Sequence, residues 1–512
     1  MARAVNTAHG GVTRAIPRRS GWLHSRLILL IAFAFSVMAD PVSSVSYAIE
    51  AALNALHNNL ALLLPTMILV VLVVALVVAS YHQLVAKFPE GGGSAAAAGR
   101  AFGEGFAFIP MGALIVDFVL TIAISVSAGS SAIISYAPAV APFRLELALT
   151  LLVLVAGLMW FGHVGRAIFA ALTIAFIVVA VVVLVVGVQI PGPAGPAVAT
   201  TQGAPLAVLF AFPVAMALAT GIEAPSSAIA QLDELDADGR RSFGQWALWL
   251  TLGIVGTLTL ALTAAIVAGG IGLPPHDSTL VAELARATGS HGVFATFQAA
   301  TALLLLSAAS SSFQAGPGLL KALARHDRPG EPNHGVLPER LGVTNKHHVP
   351  FLGVIVFLAA SAAVVVAGGG YDQRLVLFYA VAVFVSFMAG LAAMARFAHR
   401  EHRPGWLTLN ITAMIAVGFT LIANLLRPAA IVSLGATVLI GGSLYYAWVR
   451  AGRPRGTSHA VAESEGGPDD DDEHTATNNE TAADAEVVTY GAGGAKSTTA
   501  SAARTEGDES RC

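Results

Sequence analysis

Residues 38–50 read MADPVSSVSYAIE, and they follow the apolar run LILLIAFAFSV of residues 27–37. Pro41 has no backbone N–H and its ring crowds the preceding turn. Ser43, Ser44 and Ser46 offer the chain local hydrogen bonds in place of helical ones. The stretch predicts an apolar helix from about 25 to 39 that breaks and then resumes. A carboxylate, Asp40, stands at the break. Irregular backbone at membrane depth is tolerated only where protein buries it or where it lines a cavity, and in transporters it forms the site. Carbonyls freed near Ala39 and Asp40 are expected to face a cation. Ser43 and Tyr47, four apart, are expected to share a face. Residues 212–231, FPVAMALATGIEAPSSAIAQ, have the same grammar, with Gly221 and Pro225 on either side of Glu223 and Thr220 three residues before it.

Composition agrees with a membrane setting. Of 512 residues, 55% are apolar and 12% charged, against about 25% charged in soluble domains. Positions 449–512 hold 13 of the 31 acidic and 6 of the 28 basic residues, so the body is poorer still. A soluble enzyme, a nucleic-acid partner and a fibre are excluded as readings. The single cysteine, Cys512, rules out an internal disulfide. No GxxxxGK[ST] loop is present, because PEGGGSAAAAGR at 89–100 lacks the Lys and Ser/Thr and reads as a glycine-rich linker.

A helix needs about 20 residues to cross the hydrocarbon core. Stretches of that kind lie near 25–55, 58–83, 106–136, 143–161, 166–189, 204–231, 243–270, 290–316, 349–368, 373–398, 406–425 and 428–448. The expected fold is therefore an all-α integral membrane protein with twelve transmembrane helices and both termini on one side. With the termini in the cytoplasm, the cytoplasmic segments up to Arg455 carry 21 basic residues and the opposite ones only Arg144, Arg286, Arg374 and Arg427. Residues 1–24 form a cytoplasmic N-terminal segment, 25–398 a transport core in two repeats (25–189 and 204–398), 406–448 two added helices, and 449–512 an acidic cytoplasmic tail without fixed structure. The tail is expected to add nothing to the transport core.

Charge inside hydrocarbon is expensive, so intramembrane carboxylates mark function. The candidates are Asp40, Asp117 and Glu223, with Glu50 placed near the outer interface. Asp117, Thr121 and Ser125 recur every four residues on one stripe of the third span. Tyr379 stands in the tenth. Interrupted first and sixth spans are the pointer to two inverted five-span repeats with a midplane site. The expected substrate- or cation-binding set is Asp40, Ser43, Tyr47, Asp117, Thr121, Ser125, Thr220 and Tyr379.

KFPEGGGSAAAAGRAFG at 87–103 and GPGLLKALARHDRPGEPNHGVLPERLG at 316–342 resemble cytoplasmic signatures of the amino acid–polyamine–organocation (APC) superfamily. That resemblance implies the LeuT-type five-plus-five inverted repeat and secondary transport, with no cofactor and no enzymatic activity. The 40–50 stretch is similar to the DxxSSxxYAxE segment of KimA-type high-affinity potassium uptake proteins. Thr220, Gly221, Glu223, Ala224, Ser226, Ala228 and Ile229 resemble their TGxEAxSxAI segment. Asp117, Val119, Leu120, Thr121 and Ser125 resemble DYVLTxxxS, with Phe118 where that family has tyrosine. The resemblance implies potassium as the cargo, held by Asp40, Tyr47, Thr121 and Ser125, and Glu223 as the proton-coupling group. It also implies a plasma-membrane location. An amino acid or amine permease is the alternative. KimA-type proteins usually carry a folded C-terminal cytoplasmic domain that supports dimerisation; a short acidic tail stands there instead, so a homodimer rests on the resemblance alone.

Overall fold

The computed structural model describes residues 26–162, 165–190, 203–232, 235–324 and 335–465. The expected 1–24 segment and residues 466–512 lie outside the described residues, as do the side chains of Tyr379 and Ala380. Every described element is helical. Twelve helices are long and apolar enough to cross a membrane: spans 1–12 are Ile28–Ala55, Leu60–Lys87, Glu104–Tyr136, Pro138–Trp160, Ala167–Val186, Ala204–Gln231, Ala237–Ala268, His291–Ala324, Phe351–Gly368, Asp372–Arg400, Pro404–Leu425 and Pro428–Arg450. Helices are the form that satisfies every backbone group inside the segment, which a bilayer demands. Several run past the apolar stretch into polar sequence. Span 8 continues to Ala324 and span 7 starts at Ala237.

The packing has a numerical regularity. Spans 2 and 7, 3 and 8, and 4 and 9 pack against each other. Span 1 packs on 7 as 6 packs on 2, span 1 on 5 as 6 on 10, and span 5 on 8 as 10 on 3. Adding five to each number exchanges these pairs, as two five-span repeats require. A repeat with an odd number of spans returns inverted across the bilayer. Spans 11 and 12 stand outside the scheme, 11 against spans 2, 6 and 10, and 12 against spans 3 and 10. Without a strong hydrophobic drive between apolar helices in lipid, close packing relies on small residues. At the contact of spans 3 and 12, a Cβ on Gly112 would sit 2.6 Å from Gly441 Cα.

The two interruptions differ. Span 6 is truly broken: the helix Ala204–Ala215 tightens into a 3-10 turn at Met216–Ala219 and passes through extended Thr220 (φ −61°, ψ 140°). Gly221 then takes φ +68°, and helix resumes at Ala224–Ala228. Span 1 yields less than the sequence predicts. Only Met38 departs from helix, and it still donates to the Ala34 carbonyl (3.1 Å) and accepts from Val42 N–H (2.9 Å). Pro41 falls in the first turn of Ala39–Ala55, where a missing N–H is tolerated. The expected release of the Asp40 carbonyl does not occur, because Ser43 and Ser44 hydroxyls donate to it at 2.7 and 3.2 Å.

Two further corrections concern polar segments. The glycine-rich stretch after span 2 is not a linker but a helix, Gly93–Phe102, whose residues 93–99 are all buried. The tail begins with structure: residues 457–459 form a 3-10 turn, Ala460–Glu465 a short helix, and Thr457, Ser458, Ala460 and Val461 are buried.

Candidate functional site

The interruptions of spans 1 and 6 meet. A Cβ on Gly221 would lie 2.6 Å from Asp40 Oδ2, 2.8 Å from Pro41 Cδ and 2.9 Å from Asp40 Cβ. The fit needs glycine twice over, for its positive φ and for the absent side chain. Asp40 Oδ1 is buried and has no hydrogen-bond partner in the protein. Such an oxygen is costly unless a group outside the chain completes it. Gly221→Ala is accordingly expected to cost about 1–2 kcal/mol for the left-handed backbone alone, and more for the contact with Asp40. A thermal melt of the purified variant that matches the wild type would contradict this geometry.

Tyr47 is buried, and its hydroxyl shares a 2.7 Å hydrogen bond with Ser44. Ser43 and Tyr47 lie four apart on the continuous helix Ala39–Ala55, but Ser43 is turned back onto the Asp40 carbonyl and the Tyr47 hydroxyl pairs with Ser44 instead. Asp117, Thr121 and Ser125 are all buried in span 3, which touches the second half of span 1. Thr220 is buried, but its hydroxyl is spent on the Ala217 carbonyl at 2.7 Å. It closes the 3-10 turn rather than reaching toward Asp40. Tyr379 lies on span 10, with its side chain outside the described residues.

Glu223 has partners that the sequence does not announce. Tyr81 of span 2 donates to Oε2 at 2.8 Å, and the Ser386 hydroxyl of span 10 lies 3.1 Å from both carboxylate oxygens. Ser386 also shares a 2.7 Å hydrogen bond with Ser94, on the Gly93–Phe102 helix. That helix is pressed onto the second half of span 6. A Cβ on Gly91 would meet the Ser227 carbonyl at 2.6 Å, and Gly91, Gly92 and Gly93 all take positive φ. The carboxyl thus sits in a ring of hydroxyls from three elements, two of which, Tyr81 and Ser386, bond it directly.

At the opposite end, Glu50 is buried rather than solvated and accepts the Leu280 N–H at 2.8 Å. It anchors the short helix Leu280–Arg286 between spans 7 and 8. Nearby, buried Asp372 accepts from Ser131 (2.8 Å), and buried Arg144 donates to Ser131 and to the His276 carbonyl, both at 2.7 Å. A cavity of about 600 Å³ opens at this end, lined by residues of spans 1, 6 and 10 with His57 and Arg427. Among the described residues no group of three or more His, Cys, Asp or Glu is placed to hold a metal ion.

The amino acid permease family matches residues 27–449. Over 390 residues the chain is 31% identical to the potassium transporter KimA of Bacillus subtilis (strain 168), a match that spans 72% of this chain and 61% of KimA's length. Among solved structures it is similar to a manganese transporter of Eremococcus coleocola, at 14% identity over 85% of this chain and 97% of that one, with a TM-score of 0.42. It is also similar to a Na+-coupled sialic acid symporter, at 13% identity over 78% of this chain and 90% of that one, with a TM-score of 0.43.

Proposed function

The chain belongs to the amino acid permease family of secondary transporters, and on that premise we propose that it takes up potassium together with protons across the plasma membrane, its termini in the cytoplasm. The observation that carries this reading is Asp40. A carboxylate, not bare backbone, occupies the crossing of the interrupted spans, and its Oδ1 lacks a protein partner. An anion there repels a substrate carboxylate and attracts a cation. Asp40, the Tyr47 hydroxyl, Thr121 and Ser125 replace part of the ion's hydration shell. Similarity to KimA points the same way.

A permease for amino acids or amines is the second reading, favoured by the family match. The zwitterionic form of that reading meets a distance. The arginines near the cavity, Arg374 and Arg427, share it with Ala51 and Asn54 of span 1. Ala51 is eleven residues beyond Asp40 on that span, about 16 Å at 1.5 Å per residue. No single small amino acid places its ammonium on Asp40 and its carboxylate on those guanidinium groups. An amine with one ammonium group fits the second reading better.

Glu223 is the proposed proton carrier. As a carboxylate it accepts from Tyr81 and Ser386. When it takes a proton, Ser386 can turn its own hydrogen toward Ser94 and accept in its place, since a hydroxyl both donates and accepts. The carboxyl then changes charge without stranding a buried polar atom. Ser386→Ala removes this option, at about 1–1.5 kcal/mol. Proton-driven uptake is expected to fall roughly tenfold, with the potassium concentration for half-maximal uptake unchanged. An equal loss in potassium–potassium exchange, which needs no proton release, would reduce Ser386 to a packing role.

The cargo is tested in cells that lack their own potassium uptake systems, which are expected to grow at low potassium when given this protein. Labelled amino acid or amine uptake by the purified protein in vesicles, without potassium flux, would rule out potassium as the cargo.

A further inference from the structure

Residues 456–465 are polar by composition, yet Thr457, Ser458, Ala460, Val461 and Ala462 are buried. Glu104 receives four hydrogen bonds from them: Gly456 N–H at 3.3 Å, Thr457 Oγ at 3.1 Å, Ser458 N–H at 3.0 Å and Ser458 Oγ at 3.2 Å. Glycines form the seat. A Cβ on Gly99 would lie 2.5 Å from Ser458 Cβ, and one on Gly318 would lie 2.8 Å from the Ser464 carbonyl. The Ala460–Glu465 helix touches span 8, the Gly93–Phe102 helix and the part of span 6 beyond its break.

That placement bridges a seam. Transporters of inverted-repeat architecture alternate by rocking the interrupted spans against the rest of the bundle. The segment of span 6 after Gly221 belongs to the moving part, whereas span 8, Glu104 and the Gly93–Phe102 helix seat the strap. While seated, the strap stands against span 6 at the end where that segment swings. The opposite end of the same spans carries the cavity of about 600 Å³.

We propose that residues 456–465 form an intrachain latch, which holds the transport path closed at the Lys87–Glu104 end while seated and must lift for that end to open. The latch slows turnover and is independent of which cargo is carried.

Two full-length variants test it, both with Cys512→Ala so that no other thiol is present. In the first, Ser458→Asp sets a second carboxylate against Glu104. With Ala462→Cys as reporter, thiol labelling is expected to quicken about tenfold, and potassium uptake in vesicles to rise severalfold. Faster labelling with unchanged or reduced uptake would overturn the latch. In the second, Gly318→Cys is paired with Ser464→Cys; reduced, the Cβ at 318 would press on the residue 464 carbonyl at 2.8 Å, so the strap is loosened until the bridge closes. A Cβ at 318 lies 3.5 Å from Ser464 Cβ, at the short edge of the roughly 3.5–4.5 Å that a disulfide spans. Closing the bridge is expected to cut uptake at least about tenfold, with recovery on reduction. Uptake at the reduced protein's rate with the bridge shown closed by mass would equally overturn it. Should either variant fail to fold, the other decides. Labelling of Ser227→Cys beyond the break of span 6, with and without Ser458→Asp, reads the opening without any cargo. A wild type that carries no potassium therefore counts against the proposed cargo, and unchanged Ser227→Cys labelling counts against the latch.

Discussion

Glu223→Gln is expected to lose proton-driven accumulation of potassium by roughly two orders of magnitude, the lower range that positioned proton transfer contributes, while potassium–potassium exchange continues. The hydroxyl ring explains why the two activities should part. The amide of glutamine has one acceptor and one donor group where the carboxylate has two acceptors. Tyr81 can still donate to the amide oxygen. Ser386 can point its hydrogen at Ser94 and accept from the amide N–H. The substitution therefore keeps volume and hydrogen bonding and removes only the exchangeable proton, so the variant should melt and bind potassium like the wild type. Vesicles with an imposed proton gradient, compared with vesicles preloaded with potassium, separate the outcomes. A Glu223→Gln transporter that still concentrates potassium at the expense of protons would move the coupling role elsewhere, and Asp117 is the next buried carboxylate.

Spans and their number were legible because bilayer thickness sets a length and lipid forbids unpaired backbone. The break in span 6 was legible too, since Gly221 and Pro225 are local signals. Span 1 keeps more helix than its sequence predicts. Pro41 is a strong breaker in a helix interior and a mild one in a first turn, and sequence alone did not say which turn it occupied. Tyr81, Ser94 and Ser386 carried no signal of their own. Ser94 and Ser386 are lone polar residues among apolar or small neighbours, and Tyr81, within the polar run at 80–83 near the end of span 2, meets Glu223 across 142 positions. The strap failed to show for the same reason. Its composition is that of a loop, and what orders it is one carboxylate, Glu104, more than 350 positions earlier. Local chemistry announces elements; partners from distant elements decide which polar residues are working groups.

Asp40→Asn is the substitution that bears most directly on the cargo. The wild-type carboxylate presents a buried oxygen that no protein donor satisfies. Leaving an ionised group so placed is costly, and a dehydrated cation beside it is the natural compensation. Asparagine keeps the shape but replaces a full charge by a dipole, and it turns one of the two carboxylate oxygens into a donor group. The attraction that offset cation dehydration is lost. At a low effective dielectric the loss is on the order of 1–3 kcal/mol, or roughly 5–150-fold in affinity. The defect should lie in binding, unlike that of Glu223→Gln. Equilibrium binding of potassium to the purified variant measures it, with uptake at saturating potassium as the companion. Asp40→Asn protein that binds potassium as tightly as the wild type would remove Asp40 from the site. If the same protein lost binding of an amine while potassium never bound either form, the carboxylate would be holding an ammonium group, and the second reading would take the place of the first.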